Sequence, residues 1–253
     1  RYFGDHSVSG LLLGELQRVQ GENFLGRRQD FQSDLIDQLF AGSNENRDAN
    51  GGEFRENRLG LVGRFSYDYK AKYFLQSSFR YDGSSRFAPE NRWGFFPSVS
   101  AGWRLSEEDF WSSLSDVIPE FKLRGSIGTA GNDGTAAFQW LSGFTYNGFF
   151  AINQTAIPTI DNTSLANRDL TWETSTTLNL GLNLNFFKNR LRTSVDVYER
   201  VTENLLNNLQ IPVQNGFGSI PINDGELENK GIEVDFSYDI FRNKKFSWTT
   251  KLN

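Results

Sequence analysis

The two residue types that most readily act as catalytic base and nucleophile, histidine and cysteine, are almost absent from this chain. His6 is the sole histidine, and the 253 residues contain no cysteine. A Cys-His nucleophile pair and a zinc-cysteine site are therefore both excluded. We interpret His6 as a solvated residue near the start of the chain and predict no catalytic residue there.

Two short motifs suggest chemistry at first sight. The acidic run Glu107-Glu108-Asp109 could supply paired carboxylates for acid-base work. It follows Ser106, however, and acids after a serine are typical of the first turn of a short helix with the serine as its cap. The spacing Gly128-x-x-Gly131-x-x-Gly134 lacks the Lys-Ser/Thr of a phosphate loop and a surrounding βαβ unit. We interpret it as a turn at a strand end.

Composition narrows the classes of partner. The acidic and amide clusters at 44–50 and 224–228 lack the regular ligand spacing of a calcium loop, so we expect neither a metal nor another cofactor. The net charge of -5 argues against a nucleic-acid partner, which usually requires a basic surface. With no nucleophile and base pair in view, we predict that the protein is not an enzyme.

The elements that dominate the chain are long strands of period two. In the stretch 73–105, residues 73–81 alternate, a polar loop at 82–94 follows, and alternation resumes from Phe95. The clearest strand is 172–186, where Leu178, Leu180, Leu182 and Leu184 are predicted to face lipid, opposite a row of polar residues. At about fifteen residues it exceeds the ~5–6 of globular sheets and the ~9–11 that cross a bilayer.

The remaining pattern is an alternation of short turns and long loops. Further strands are predicted at 8–19, 58–69, 121–127, 191–201, 232–240 and 246–252, with two more inside 136–160. Short turns are predicted at 70–72, 188–190 and 241–245, and long loops at 21–52, 82–94 and 207–229, with a short helix at 31–40 in the first. A further loop is predicted at 161–169. Short turns at one end and long loops at the other are typical of outer-membrane barrels, in which aromatic residues form girdles. No apolar run reaches the ~18 residues of a membrane helix.

Three strings carry a resemblance to a known family. They are residues 80–87 (RYDGSSRF), residues 91–103 (NRWGFFPSVSAGW), and residues 122–128 (KLRGSIG) with Gly131-Asn132 after them. Residues 189–191, 205–206 and 229–233 add shorter similarities. On these strings the chain resembles the SusC/RagA family of TonB-dependent outer-membrane transporters.

The resemblance implies an all-β fold, an antiparallel meander of about ten strands that forms part of a large transmembrane outer-membrane β-barrel. It implies active import of oligosaccharides or peptides with energy from TonB and with a SusD-like surface lipoprotein as partner. The location implied is the outer membrane, in contact with its lipid, of a Gram-negative bacterium of the Bacteroidota type. The family's plug, which carries the TonB-contacting segment, and its closing strands have no counterpart here, so we expect residues 1–253 to be a single domain and an internal piece of the barrel.

Candidate substrate-binding residues come from the stretch that carries the strongest resemblance. We select Arg80, Asp82, Arg86 and Trp93, because binding residues concentrate on loops held by a rigid scaffold. Trp93 could stack on a sugar ring or could belong to a girdle. Inward charges such as Arg80, Arg104 and Arg124 could bind substrate or pair across strands.

One alternative function remains open from the sequence. A soluble all-β glycan-binding module would also alternate polar and apolar residues. Strand length and the asymmetry of the turns favour the barrel.

Overall fold

A computed structural model describes residues 2–45, 47–153, 155–243 and 246–253. Its strands are β1 Tyr2–Phe3, β2 His6–Arg27, β3 Asp48–Tyr69, β4 Tyr73–Ser84, β5 Trp93–Arg104, β6 Glu120–Asn132, β7 Phe144–Ile152, β8 Thr155–Asn162, β9 Glu173–Phe186, β10 Leu191–Glu203, β11 Leu206–Gln210, β12 Ser219–Asn223, β13 Glu226–Arg242 and β14 Ser247–Leu252. Helical structure in these ranges is limited to 3-10 turns at Leu39–Ala41, Leu105–Glu107, Asp109–Trp111 and Val213–Asn215. No helix of the described part of the chain has the length and apolar character needed to cross a membrane.

Ten strands form one antiparallel sheet in the order β1-β2-β3-β4-β5-β6-β9-β10-β13-β14. The pairs β7-β8 and β11-β12 are separate two-stranded hairpins inserted between sheet strands. The predicted all-β antiparallel meander is therefore confirmed, and these residues form an open arc of sheet.

Most connections separate by length into two ends of the sheet, the exception being the connection 105–119 between β5 and β6, which is long but lies at the short-turn end. At the short-turn end, β3 joins β4 through residues 70–72 and β9 joins β10 through residues 187–190. Lys70 and Ala71 have φ of 54° and 52°, which is the left-handed backbone of a tight hairpin. At the long-loop end lie the connections 28–47, 85–92, 133–172 and 204–225, the last two of which contain the separate hairpins. Of the predicted turn at 241–245, Phe241 and Arg242 belong to β13, and residues 244–245 lie outside the described residues.

Alternation gives the sheet one apolar and one polar face. In register across β5, β6, β9 and β10, Trp103, Leu123, Leu182 and Val195 are neighbours, and so are Ala101, Gly125, Leu180 and Val197. The row between them belongs to the polar face and contains Gly102, Arg124, Gly181 and Asp196. We call the sides carrying these rows the apolar face and the polar face.

Aromatic rings gather toward both ends of the apolar face. At the short-turn end, Tyr73 stacks between Tyr69 and Trp103, with both ring centroids 6.3 Å away. Toward the long-loop end, Tyr81 stacks on Trp93 at 5.0 Å. Tyr73 and Tyr81 are eight residues apart on β4, which is roughly 26 Å along a strand. Two aromatic rows flanking an apolar band are the pattern of a transmembrane β-barrel.

The predicted long loops at 21–52, 82–94 and 207–229 are too long. β2 and β3 remain paired as far as Arg27 and Asp48, and β4 and β5 as far as Gly83 and Trp93. Within 207–229, residues belong to the β11-β12 hairpin and to the start of β13. The alternation of apolar and polar residues is lost where strands leave the apolar band, because both faces of the sheet then contact water. The backbone hydrogen bonds between the strands continue beyond that point.

Two predicted helical features and one predicted turn are wrong. Residues 31–40 form no helix beyond the turn that begins at Leu39. Leu35 is 94% exposed, and a helix this short needs tertiary packing to be stable. Ser106 caps nothing, since the acidic run lies in two 3-10 turns without a side-chain cap. The predicted turn at 128–134 is mostly strand, because β6 pairs with β9 as far as Asn132.

Candidate functional site

The hydrophobic core lies at the long-loop end rather than behind the sheet. Phe87 and Leu170 are fully buried and pack with Phe96 and Trp172. The Trp172 indole N–H donates to the Arg92 carbonyl at 3.1 Å. This core joins loop 85–92 to residues 167–172, and we call these two segments with the adjoining base of the β11-β12 hairpin the loop platform.

Amide side chains tie the β11-β12 hairpin into the platform. The Asn223 side chain accepts the Thr171 N–H at 2.8 Å and donates to the Thr171 carbonyl at 2.9 Å. Asn167 donates to the Pro221 carbonyl at 2.7 Å. Reciprocal bonds of this kind satisfy backbone groups that a mobile loop would leave to water. The platform is consequently preorganised.

A buried carboxylate fastens the platform to the wall. Arg58 of β3 donates to both oxygens of Asp133, from Nε at 2.7 Å and from Nη2 at 2.9 Å. The buried Ser84 hydroxyl donates to the same carboxylate at 2.7 Å. Arg86 donates to the Asp133 carbonyl at 3.1 Å and to Glu56 at 2.9 Å. Bidentate, charge-assisted bonds fix orientation as well as contributing energy.

Beneath this clamp the polar face holds a cavity of about 300 Å³. Its charged and polar lining residues are Glu15, Gln17, Arg58, Arg80, Asp82 and Asp133, and Trp172 closes one side. Arg80 donates to both oxygens of Asp82, at 2.9 and 3.0 Å, and reaches Glu15 at 3.5 Å. The cavity offers donors and acceptors of both charge signs, which suits a hydrated neutral or zwitterionic ligand.

The structure brings two of the four predicted substrate-binding residues together. Arg80 and Asp82 line the cavity as an ion pair. Arg86 is engaged by Glu56 and Asp133, and its side chain is 22% exposed. Trp93 lies on the opposite, apolar face, stacked on Tyr81. Substrate binding by Arg80 and Asp82 stays a prediction.

Three charged lining residues, Glu15, Arg58 and Asp133, were not among the candidates that the sequence suggested. Glu15 and Arg58 fall at polar positions of strands, where a charge is unremarkable. Asp133 is 75 residues from Arg58 and 49 from Ser84 along the chain. No spacing rule connects such positions, so only the sheet topology reveals the cluster.

The predicted inward charges mostly pair across strands. Arg124 of β6 binds Asp196 of β10, with Gly181 of β9 between them. A Cβ on Gly181 would lie 2.6 Å from Asp196 Oδ1, so the ion pair requires glycine on the middle strand. Arg192 binds Asp239 through two bonds, at 2.8 and 3.0 Å. For these residues the structure agrees with the second alternative given above, in which inward charges pair across strands.

Glu108 has a different role from the acid-base pair considered above. Outside the strands at the short-turn end, it accepts bonds from the Tyr73 hydroxyl at 2.6 Å and the Trp103 indole N–H at 3.0 Å. Those bonds, with Lys72, hold the pKa of Glu108 below its usual value. The carboxylate thus fixes the polar ends of two girdle aromatics.

Among the described residues, no group of three or more His, Cys, Asp or Glu could hold a metal.

Comparisons with known proteins agree on one family. Residues 1–253 match the family model described as "TonB dependent receptor-like, beta-barrel". The chain is 38% identical over 250 residues to TonB-dependent receptor P39 of Formosa agariphila, covering 98% of this chain and 24% of that protein. It is 34% identical over 204 residues to TonB-dependent receptor SusC of Bacteroides thetaiotaomicron, covering 79% of this chain and 20% of that protein.

A solved structure shows the same fold. The RagAB peptide importer in its "closed-closed" state superposes with a TM-score of 0.88 at 25% identity, covering 99% of this chain and 27% of that one. The chain therefore spans about a quarter or less of the length of these relatives. The resemblance to the SusC/RagA family is confirmed.

Proposed function

The chain belongs to the β-barrel family of TonB-dependent receptors, and on that premise we propose that the whole protein imports an oligosaccharide or a peptide across the outer membrane. These 253 residues contribute an arc of the barrel wall. The observation that carries the proposal is the cavity on the polar face, which combines charges of both signs beneath a preorganised loop platform. In this proposal a plug within the barrel and energy from TonB make the import active.

The soluble glycan-binding module is less well supported. A soluble sheet would have to bury the apolar face, whereas Leu180 is 60% and Ile232 is 70% exposed there. Lipid is the environment that suits such a face. The protein is accordingly an outer-membrane protein, as its family is, and detergent partitioning of the full-length chain provides the direct check.

Uptake by cells tests the import mechanism. Labelled oligosaccharides and peptides are supplied to cells with the wild-type gene, to cells lacking TonB, and to cells with Arg80→Gln and Asp82→Asn together. We expect uptake to stop without TonB and to need a higher ligand concentration in the double variant. Arg55→Gln is the matched control, because Arg55 is exposed and pairs only locally with Glu53. Uptake that continues without TonB would contradict active import.

We place the surface lipoprotein partner, a SusD-like protein, over the β7-β8 hairpin. Tyr146 and Phe149 are 81% and 76% exposed there, and an isolated two-stranded hairpin is marginally stable in water. A partner packed on these rings would cover them. Tyr146→Asp with Phe149→Asp should abolish co-purification of the lipoprotein, whereas Phe110→Asp at the other end of the wall should not. Retention of the lipoprotein by the double variant would rule out this surface.

A further inference from the structure

Two cations lie opposite each other on the polar face at the short-turn end. Arg104 of β5 is in register with Lys122 of β6, and like charges directly opposite destabilise an antiparallel pair. On the same face Arg124 and Arg192 each meet a carboxylate. Within the part of the chain that the structure describes, neither Arg104 nor Lys122 has an ion-pair partner. This pair of cations therefore differs from Arg124 and Arg192, whose charges are each neutralised by a carboxylate.

Both cations are held against one aromatic ring. Lys122 Nζ lies 4.4 Å from the centroid of the Phe74 ring, and Arg104 Cζ lies 5.6 Å from it. Gly102 gives Lys122 room to reach the ring, since a Cβ there would lie 3.2 Å from Lys122 Cε. Both charges therefore lie within 6 Å of the centre of the same ring.

A second observation points to a missing acceptor. Arg104 Nε is buried, and no hydrogen-bond acceptor within the described residues reaches it. A buried donor without a partner costs more than an average hydrogen bond contributes. A nearby cavity of about 400 Å³ is lined by Lys122, by Arg124, which is paired with Asp196, and by hydroxyl and amide groups, among them Ser66, Ser100 and Ser126. Asp68 is its sole carboxylate among the described lining residues, and it accepts the Ala71 N–H at 3.2 Å instead.

We propose that Arg104 and Lys122 form a binding site for a carboxylate presented from the polar side of the sheet. One anionic group between the two cations would offset their repulsion, and a carboxylate oxygen that reached Arg104 Nε would give that donor an acceptor. The serine hydroxyls could donate to its remaining lone pairs. The carboxylate belongs either to an acidic residue of the whole protein outside these 253 residues or to an acidic peptide in transit. The inference rests on the proposed function in one respect, which is that the polar face is taken to line the lumen of the barrel.

Zero-length coupling in the full-length protein tests the site. A carbodiimide joins an amine to a carboxylate that touches it, and mass spectrometry then identifies both residues. The reaction is run on purified protein alone and with a glutamate-rich peptide, using a neutral peptide as the matched control. We expect Lys122 to couple to an acidic residue outside the chain described here, or, if the ligand is the source, to the glutamate-rich peptide only. Lys122→Arg should lose the coupling and keep the thermal stability.

The unfolding temperature and the peptide binding of Lys122→Gln distinguish a carboxylate of the protein itself from one of the ligand. If the carboxylate is the protein's own, Lys122→Gln lowers the unfolding temperature of the ligand-free protein by several degrees. If it is the ligand's, Lys122→Gln leaves that temperature unchanged and weakens binding of the acidic peptide alone. Arg64→Gln is the control, since Arg64 also lies on the polar face but opposite Leu11 and Ser78. Coupling of Lys122 to Asp68 alone, or no coupling of Lys122 either in the protein alone or with the glutamate-rich peptide, would overturn the site. Continued TonB-dependent uptake of a neutral ligand would leave the proposed function standing in that case.

Discussion

Leu182→Arg tests the assignment of the apolar face to lipid. On β9 the alternate residues from Leu178 to Phe186 are apolar, a span of roughly 26 Å along the strand. At a tilt of ~40° this span covers about 20 Å of membrane height, close to the ~25 Å apolar band of known barrels. Leu182 is its central residue. Arginine at the midplane of a barrel wall costs ~2–4 kcal/mol, whereas near the interface the cost falls to ~0–1 kcal/mol.

The measurement is the urea midpoint of the full-length protein refolded into lipid vesicles. We expect a large loss of unfolding free energy for Leu182→Arg and a small one for Leu178→Arg at the margin of the band. The control is Asn179→Arg on the polar face, which should be near neutral. Asn183 is a poorer control, because its side-chain oxygen accepts a bond from Arg124 at 3.2 Å. Equal losses for Leu182→Arg and Asn179→Arg would show that the faces are wrongly assigned.

Three further perturbations test the internal contacts. Gly181→Val should separate the ion pair that passes over it and lower the unfolding free energy by ~1–3 kcal/mol, and the loss should shrink when both charges are first neutralised. Because the pKa of Glu108 is lowered, its bonds stabilise the fold at neutral pH and are lost as the pH falls through that lowered pKa. Trp103 fluorescence should therefore change on acidification of the wild type. The Glu108→Gln variant should show no such transition. Phe87→Ala should cost ~3–5 kcal/mol locally and expose the loop platform to proteolysis, whereas the same change at the 59% exposed Phe95 should not.

The sheet was predictable because each strand inside the apolar band has one face toward lipid and one toward water, which makes its residues alternate between apolar and polar. The predicted strand 172–186 differs from β9 by one residue at its start, and the predicted turn 70–72 is the observed one. The same alternation also determines the side of Trp93, which shares its parity with Phe95 and Val99. Parity along β5 is therefore sufficient to assign this ring to the apolar face.

The platform and the clamp were not predictable in this way. Phe87 and Trp172 are 85 positions apart and meet at 5.3 Å. Asp133, which directly follows β6, meets Arg58 of β3 although β4 and β5 lie between these two strands in the sheet. In the sequence, Ser84 and Arg86 look like ordinary turn residues. Their roles depend on long-range partners, and no local propensity encodes such partners.

Glycines on the polar face carry a signal that can be read once the register is known. Gly60 lies in register between Glu15 of β2 and Asp82 of β4, and a Cβ on it would lie 2.6 Å from Asp82 Oδ1 and 3.3 Å from Arg80 Nη2. Gly181 has the same position beneath the Arg124 ion pair. Strands two apart in a sheet are roughly 10 Å from each other, so an arginine reaches across only where the middle strand has no side chain. A strand-interior glycine flanked in register by charged residues therefore marks a place where an ion pair can span three strands. At Gly181 the flanking residues are the two partners themselves, whereas at Gly60 both are acidic and Arg80 joins them. In this wall one such bridge lies at the candidate cavity itself, where it fixes Arg80 in the orientation that a ligand would meet.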